Sequence, residues 1–331
     1  MKNWINRLIG GPDENAARPG TDPAAPAIPA AAAPSPAHVA DAPVDAIDAA
    51  WYRWLTASAA RDLAPALERR VLDELHALAR RPDAAASLVP RLPEVVIQLL
   101  GSLDDEGASI ADMARQVAQD VVLVAEVIRE ANSAYYRPIT PVKNVEAAIT
   151  MLGQNGLRML LARIAFRPIV NMEAEGFARR AAPRIWDQSV KCALAASLMA
   201  PGLSTGVFES YLAGLMQNVG LMVGLRLLHR ASPDGVPASA AFGADLLAGG
   251  RQLSAAIAAH WAFPPAVSAA IAGAGAPGAS VLAQALAQGD RIAKLRMLVD
   301  AHVLDEDDAL VADGLTSFQR RCLGKLANLE T

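Results

Sequence analysis

Residues 212–224 read LAGLMQNVGLMVG, an apolar run interrupted at its middle by two adjacent amides, Gln217 and Asn218. Hydrophobic side chains surround the pair on every side of a helical projection, and a helix apolar all round belongs in a core. An amide left unpaired there costs about 1–3 kcal/mol. The run therefore predicts a buried helix, with partners waiting for both amides.

Outward from this stretch the chain continues as helix after helix. From residue 51 onward, almost no segment shows the period-two alternation of β-branched residues that a strand requires. Local signals place the helix ends. A helix pair over about 51–80 ends before Pro82, which restricts the residue preceding it; Pro93 suits a first helical position, and Ser109 with Asp112 reads as a capping box. Asp120 and Asn144 are N-caps, Gly153 is a stop, and Asn155 opens the following GLRMLLARIAF. Further helices are expected in WDQSVKCALAASLMA, in YLAGLMQNVGLMVGLRLL as one piece, over 251–260, in PAVSAAIAGAG, and in a C-terminal pair. The ordered chain is predicted to be all-α. Residues 1–50 stand apart: a short helix at 2–10 is followed by a stretch rich in Pro and Ala that cannot bury enough to offset its ordering entropy.

Composition narrows the function classes. The 331 residues carry 53% hydrophobic and 19% charged residues with a net charge of -4. The basic residues are scattered, without the stripe that a phosphate backbone selects, so nucleic acid is not the expected partner. Cys192 and Cys322 lie far apart without metal-type spacing, as expected of idle thiols in a reducing compartment. The N-terminus lacks a continuous apolar core for a signal peptide, and the longest apolar run, 211–228, contains Gln217, Asn218 and Arg226. A cytoplasmic protein without a transmembrane segment is expected.

Three motifs mimic chemistry without its context. GLSTG, residues 202–206, has the spacing of a nucleophile elbow but follows a helix rather than a strand, so Ser204 reads as a turn residue. GAGAPG, residues 273–278, matches a dinucleotide loop only formally, with Pro277 inside it and a helix before it. DEDD, residues 305–308, reads as acids gathered at a helix start. The five histidines are dispersed, and only His260, beside Trp261, lies near the segments of interest. Arg179, Arg180 and Arg184 read as a solvated helix face.

VPRLPEVVIQLL, QDVVLVAEVIREANSAYY, VEAAITMLGQNGLRMLL, WDQSVKCALAASLMA, LAGLMQNVG and AAHWAFPPAVSAAI, in this order, closely resemble the HDOD domain over about residues 88–290. That family is related to HD-type metal phosphohydrolases. The resemblance implies a five-helix subdomain over about 88–167 and an HD-like bundle over about 168–290, flanked by helical extensions at 51–87 and 291–331. It also aligns Gln188, Gln217, Asn218 and Gly250 with positions that hold metal ligands in HD enzymes, leaving Asp290 as the acidic match. Neutral amides supply neither the charge nor the donor strength that a water-activating metal requires, so no metal and no other cofactor is expected. Asn132, Tyr135 and Tyr136 match a family hallmark whose plain reading is a backbone cap and junction packing; together with Trp261 they are the candidate interaction positions.

The expected function is that of a degenerate, non-catalytic signalling module in a bacterial cytoplasm. Its implied partners are proteins of two-component or cyclic-di-GMP signalling. Two alternatives remain open at this point: a metal-dependent phosphohydrolase with an unrecognised ligand set, and a module that senses a small ligand such as a nucleotide. For the amides the expectation is a neutral plug, with Gln188, Gln217 and Asn218 bonded to one another; the alternative is that they face a retained pocket.

Overall fold

The computed structural model describes residues 45–90, 110–133, 135–170, 175–233, 235–327 and 329. The expected helix at 2–10, the Pro- and Ala-rich stretch before residue 45, the helix after Pro93 and the Ser109 cap lie outside the described residues; the end of the expected tail is corrected, since residues 46–50 are helical and Ile47 is buried.

Helix α1 (Ala46–Thr56) starts where the Asp45 side chain accepts hydrogen bonds from the Ile47 and Asp48 amides. A two-residue strand β1 (Ala60–Arg61) follows, then α2 (Pro65–Ala79) and α3 (Pro82–Ser87), each with proline in its first turn. Proline has no N–H to lose there, and its fixed φ suits the helix. Next come α4 (Ile110–Val117) and α5 (Val121–Ala131), the latter capped by Asp120 as expected. Helix α6 (Val145–Val170) opens on the Asn144 carboxamide, which accepts from Ala147 N at 2.8 Å. It breaks at Gly153, whose φ of 66° only glycine adopts without strain.

The second half contains the long α7 (Gly176–Met199), a 3₁₀ turn at Ala200–Leu203, α8 (Val207–Met216) and α9 (Val219–Ala231). Strand β2 (Val236–Pro237) pairs parallel with β1, Ala60 opposite Val236. Then follow α10 (Ala240–His260), α11 (Pro265–Gly273), α12 (Val281–Asp300), the short α13 (Ala309–Ala312) and α14 (Ser317–Leu326). A reciprocal Thr316–Gln319 capping box opens α14. Helix α10 begins eleven residues before the helix expected over 251–260, at a Ser239 cap bonded to Phe242 N. Among the described residues the fold is all-α apart from one short strand pair.

Helices α4, α5 and α6 pack together, and α7 forms the axis of the bundle, with α8 and α12 along it and α9 against α10. The helices before residue 88 are integral to this body. Trp51 and Leu75 are fully buried in the main core, and Ile47 joins a second cluster with Leu295, Leu323 and Leu326. The Tyr52 hydroxyl donates to the Pro237 carbonyl at 2.8 Å, and the Tyr52 ring lies where a side chain at Gly243 would be. Each such large apolar side chain contributes about 1.5–3 kcal/mol when fully buried. Among the described residues one stretch, Val207–Ala231, is long and apolar enough to cross a membrane, and 94% of its apolar 18-residue window is buried inside the protein.

The decoy motifs take their plain forms. Ser204 is an exposed turn residue at φ 53°, preceded by helix. Gly273 ends α11, and Gly275 and Gly278 turn the chain at positive φ. Asp308 of the DEDD group caps α13. Arg184 lies over the Trp54 ring at 4.8 Å, and Arg179 and Arg180 are exposed.

Candidate functional site

The amide pair of the 212–224 run is not in mid-helix. Helix α8 ends at Met216 and α9 starts at Val219, so Gln217 and Asn218 form the joint between them. Ser254 of α10 splices this joint. Its hydroxyl donates to the Gln217 carbonyl at 2.7 Å and accepts from the Gly220 amide at 2.8 Å. These are backbone groups that an unbroken helix would have bonded internally. The crossing is close: a Cβ on Gly220 would lie 2.1 Å from the Gly250 carbonyl oxygen, and one on Gly250 would lie 3.0 Å from Leu221 N. A single continuous helix was the expectation, and the serine that breaks it lies 37 residues further along the chain.

Breaking the helix turns both amides toward α7 and α12. Gln188 is fully buried, with Gln217 2% and Asn218 7% exposed, so each needs internal partners. The Asn218 amide nitrogen donates to the Gln188 carbonyl oxygen and, at 3.0 Å, to Ser189 Oγ. The Gln188 amide nitrogen donates to Asp290 Oδ1. Gln217 Nε2 donates to the same Asp290 oxygen at 3.0 Å and to Cys192 Sγ at 2.9 Å. A carboxylate only accepts, which fixes the orientation of both glutamines with N–H toward Asp290. The expected plug of three mutually bonded amides is thus corrected. Gln188 and Asn218 do bond directly, but Gln217 meets Gln188 only through Asp290, because the two glutamines compete for one acceptor.

The other Asp290 oxygen, Oδ2, accepts from Lys294 Nζ at 2.6 Å, one helical turn along α12. The same ammonium donates to Asp48 Oδ1 of α1 at 2.6 Å and lies 5.4 Å from the centre of the Trp51 ring. Lys294 is 3% exposed at its side chain, and its burial disfavours the charged form, yet Asp290 and Asp48 outweigh this and hold its pKa above the ordinary lysine value. Burial likewise pushes the Asp48 carboxyl up, but the Lys294 ammonium beside it wins and the net shift is downward. The Cys192 thiol is pushed well up by burial and by Asp290, so it stays neutral. Neither Asp48 nor Lys294 figured among the residues expected at the site.

A cleft of about 390 Å³ opens onto this floor, lined by Asp45 and Asp48 of α1, Gln217, Arg251 of α10, and Asp290 and Arg291 of α12. Gln188 and Asn218 lie beneath it rather than on its wall. Gly250 serves the α9–α10 crossing and is not among the lining residues. Among the described residues no group of three or more His, Cys, Asp or Glu side chains is disposed to hold a metal ion.

The remaining expected positions lie elsewhere. Asn132 ends α5; its amide nitrogen donates to the Ile128 and Val142 carbonyls and its oxygen accepts from Val142 N at 2.8 Å, clasping the loop back onto the helix. Tyr135 and Tyr136 meet edge to face at 5.0 Å and pack beside the half-buried Arg163–Glu130 ion pair and Tyr211. Trp261 follows α10 and stacks at a tilt on Phe263. His260 pairs with the exposed Asp83.

A family model for the HDOD domain matches residues 89–277. A solved structure from Shewanella amazonensis, described as a candidate metal-dependent phosphohydrolase, is 19% identical with a TM-score of 0.56, covering 79% of this chain and 98% of its own. An HDOD domain protein of unknown function from Geobacter sulfurreducens is 20% identical with a TM-score of 0.50, over 77% of this chain and 94% of its own. A candidate signal transduction protein from Marinobacter aquaeolei is 20% identical at a TM-score of 0.50, over 78% of this chain and 66% of its own. At these identities the likeness is one of fold. An uncharacterized protein of Treponema pallidum is 24% identical over 138 residues, and the chain spans about a quarter of that relative, 26% of its length.

Proposed function

Because the chain belongs to the HDOD domain family, we propose that it is a non-catalytic regulatory module, whose positions Gln188, Gln217, Asn218, Gly250 and Asp290 correspond to a metal centre that has been lost. The observation that carries this reading is the state of Asp290. It is the only carboxylate among those five positions, and both of its oxygens are already taken, Oδ1 by two amide N–H groups and Oδ2 by an ammonium. An N–H pointing inward repels a cation, and an oxygen shared with a buried lysine is not free to bind one. Without a metal there is no activated hydroxide, and the site offers no histidine to act as a base instead.

The module then works through its surface, with protein partners of bacterial two-component or cyclic-di-GMP signalling, in the cytoplasm. Asn132, Tyr135, Tyr136 and Trp261 serve to hold the two helical parts and their loops in one shape. The decisive experiment is metal analysis of protein purified without chelators, together with hydrolysis assays on phosphomonoesters and phosphodiesters with added Mn²⁺. The expected result is substoichiometric metal and no turnover; a stoichiometric transition metal with turnover lost in Asp290→Asn overturns the reading.

The cleft supports a second role for the same module, the binding of a small ligand. Its volume falls within the range of small-molecule sites, and Arg251 and Arg291 on its wall offer guanidinium donors to an acceptor-rich compound. A nucleotide that raises the melting temperature of the wild-type chain but not of Arg251→Ala supports this role.

A further inference from the structure

We propose that the ε-ammonium of Lys294 is the resident cation of this site, and that Asp48 and Asp290 form a divalent-cation site which this amine masks. The inference rests on the non-catalytic reading above and says what took the place of the ion. A metal-dependent relative needs a positive charge among its carboxylates, and deleting the ion alone would leave buried anions uncompensated.

In this chain the compensation is built in. Lys294 Nζ donates to Asp290 Oδ2 and Asp48 Oδ1, each at 2.6 Å, and the Trp51 ring adds its negative face at 5.4 Å. The amine is placed between the two carboxylates by an i,i+4 step along α12 from Asp290 and by the N-terminal turn of α1, whose register is set by the Asp45 cap. The amides complete the exclusion. Gln188 and Gln217 present N–H, not oxygen, to Asp290 Oδ1 and withdraw that oxygen from a cation, which leaves Asp290 Oδ2 and Asp48 Oδ1 to the amine.

Removing the amine reverses the situation. Asp48 and Asp290 both line the open cleft, so a hydrated ion can reach them from solvent. Two carboxylates with water filling the remaining positions form a hard oxygen site of the kind taken by Mg²⁺ or Mn²⁺. The three charged residues sit on two helices, Asp48 on α1 and Asp290 and Lys294 on α12, all outside the 89–277 family match, so the substitute cation comes with the flanks of the matched segment.

Mn²⁺ titration of the full chain, read by the EPR signal of free Mn²⁺ and by melting temperature, tests this on wild type, Lys294→Met and Asp48→Asn/Lys294→Met. The expected result is uptake of a single equivalent and a Mn²⁺-dependent rise in melting temperature for Lys294→Met only. If Lys294→Met does not fold alone, Mn²⁺ should restore a cooperative melting transition. A folded Lys294→Met without uptake, or an unfolded one that Mn²⁺ fails to rescue, overturns the masked site and leaves the non-catalytic reading standing. Single-equivalent uptake by wild type, with Lys294 in place, overturns both.

Discussion

The floor of the cleft joins two regions that solve the same problem, burying polar groups, by different physics. On one side are Gln188, Ser189, Gln217 and Asn218, neutral groups within the family-matched segment. On the other are Asp48, Asp290 and Lys294, charged groups from helices that flank it. Asp290 Oδ1 is where the two meet. A neutral network loses only unpaired hydrogen bonds when one member goes, whereas a buried ionic group missing one member leaves a bare charge in a poorly solvating interior. The ionic side should therefore be the more fragile one, although the amide side belongs to the family core.

Urea denaturation of Lys294→Met gives the largest expected effect, a loss of about 3 kcal/mol, because two half-buried carboxylates are left facing each other without their counter-ion. Neutralising all three groups together, as Asp48→Asn/Lys294→Met/Asp290→Asn, should recover most of that loss. A triple variant no better than the single one would mean that the lysine acts through packing and not through charge.

The pH profile of stability sharpens the same contrast. The Lys294 pKa is raised on folding, so its contribution is complete below the ordinary lysine value and declines as pH rises through the folded value. Asp48 is lowered on folding, so its contribution is complete above the ordinary aspartate value and declines as pH falls through the folded value. Melting temperature should be level across neutral pH and fall at both ends, and in the triple variant the alkaline fall should shrink. An unchanged alkaline limb in that variant contradicts the assignment.

On the amide side, Gln188→Leu should cost about 1–3 kcal/mol, since it removes one of the two acceptors of the Asn218 amide, leaving Ser189 Oγ, and takes one donor from Asp290. Gly220→Ala should cost a similar amount, about 1–3 kcal/mol, because its methyl meets the Gly250 carbonyl at the α9–α10 crossing. The smallest change is expected for Arg184→Ala, about 0.5–1 kcal/mol for an exposed cation–π contact with Trp54. Equal losses for Gln188→Leu and Lys294→Met in urea would erase the distinction between the two sides.

What the sequence revealed follows the range of each signal. The caps at Asp120 and Asn144 and the break at Gly153 are local, and they were read correctly from a few residues each. Gln188 and Asn218 could be paired because a buried amide must find a partner and the family alignment brought the segments together. The joint at Gln217–Asn218 was not legible. The group that breaks the helix, Ser254, lies in what reads as an ordinary helical position of α10. Asp48 and Lys294 were invisible for the same reason: they are 246 residues apart, and Asp48 falls in the stretch 1–50 that reads as a tail unable to bury anything. The extensions at 51–87 and beyond 290 looked peripheral to the domain, yet Trp51, Leu75, Leu295 and Leu326 are buried in the same body. Apolar periodicity marks which face of a helix is buried but not what it is buried against.

On this proposal an ammonium occupies the cation position between Asp48 and Asp290. Anomalous diffraction from wild-type crystals soaked in Mn²⁺ tests it most directly. No manganese peak is expected between these carboxylates, with continuous density from Lys294 to both; a manganese peak coordinated by Asp48 and Asp290, with the lysine displaced, would rule the ammonium out as the resident cation.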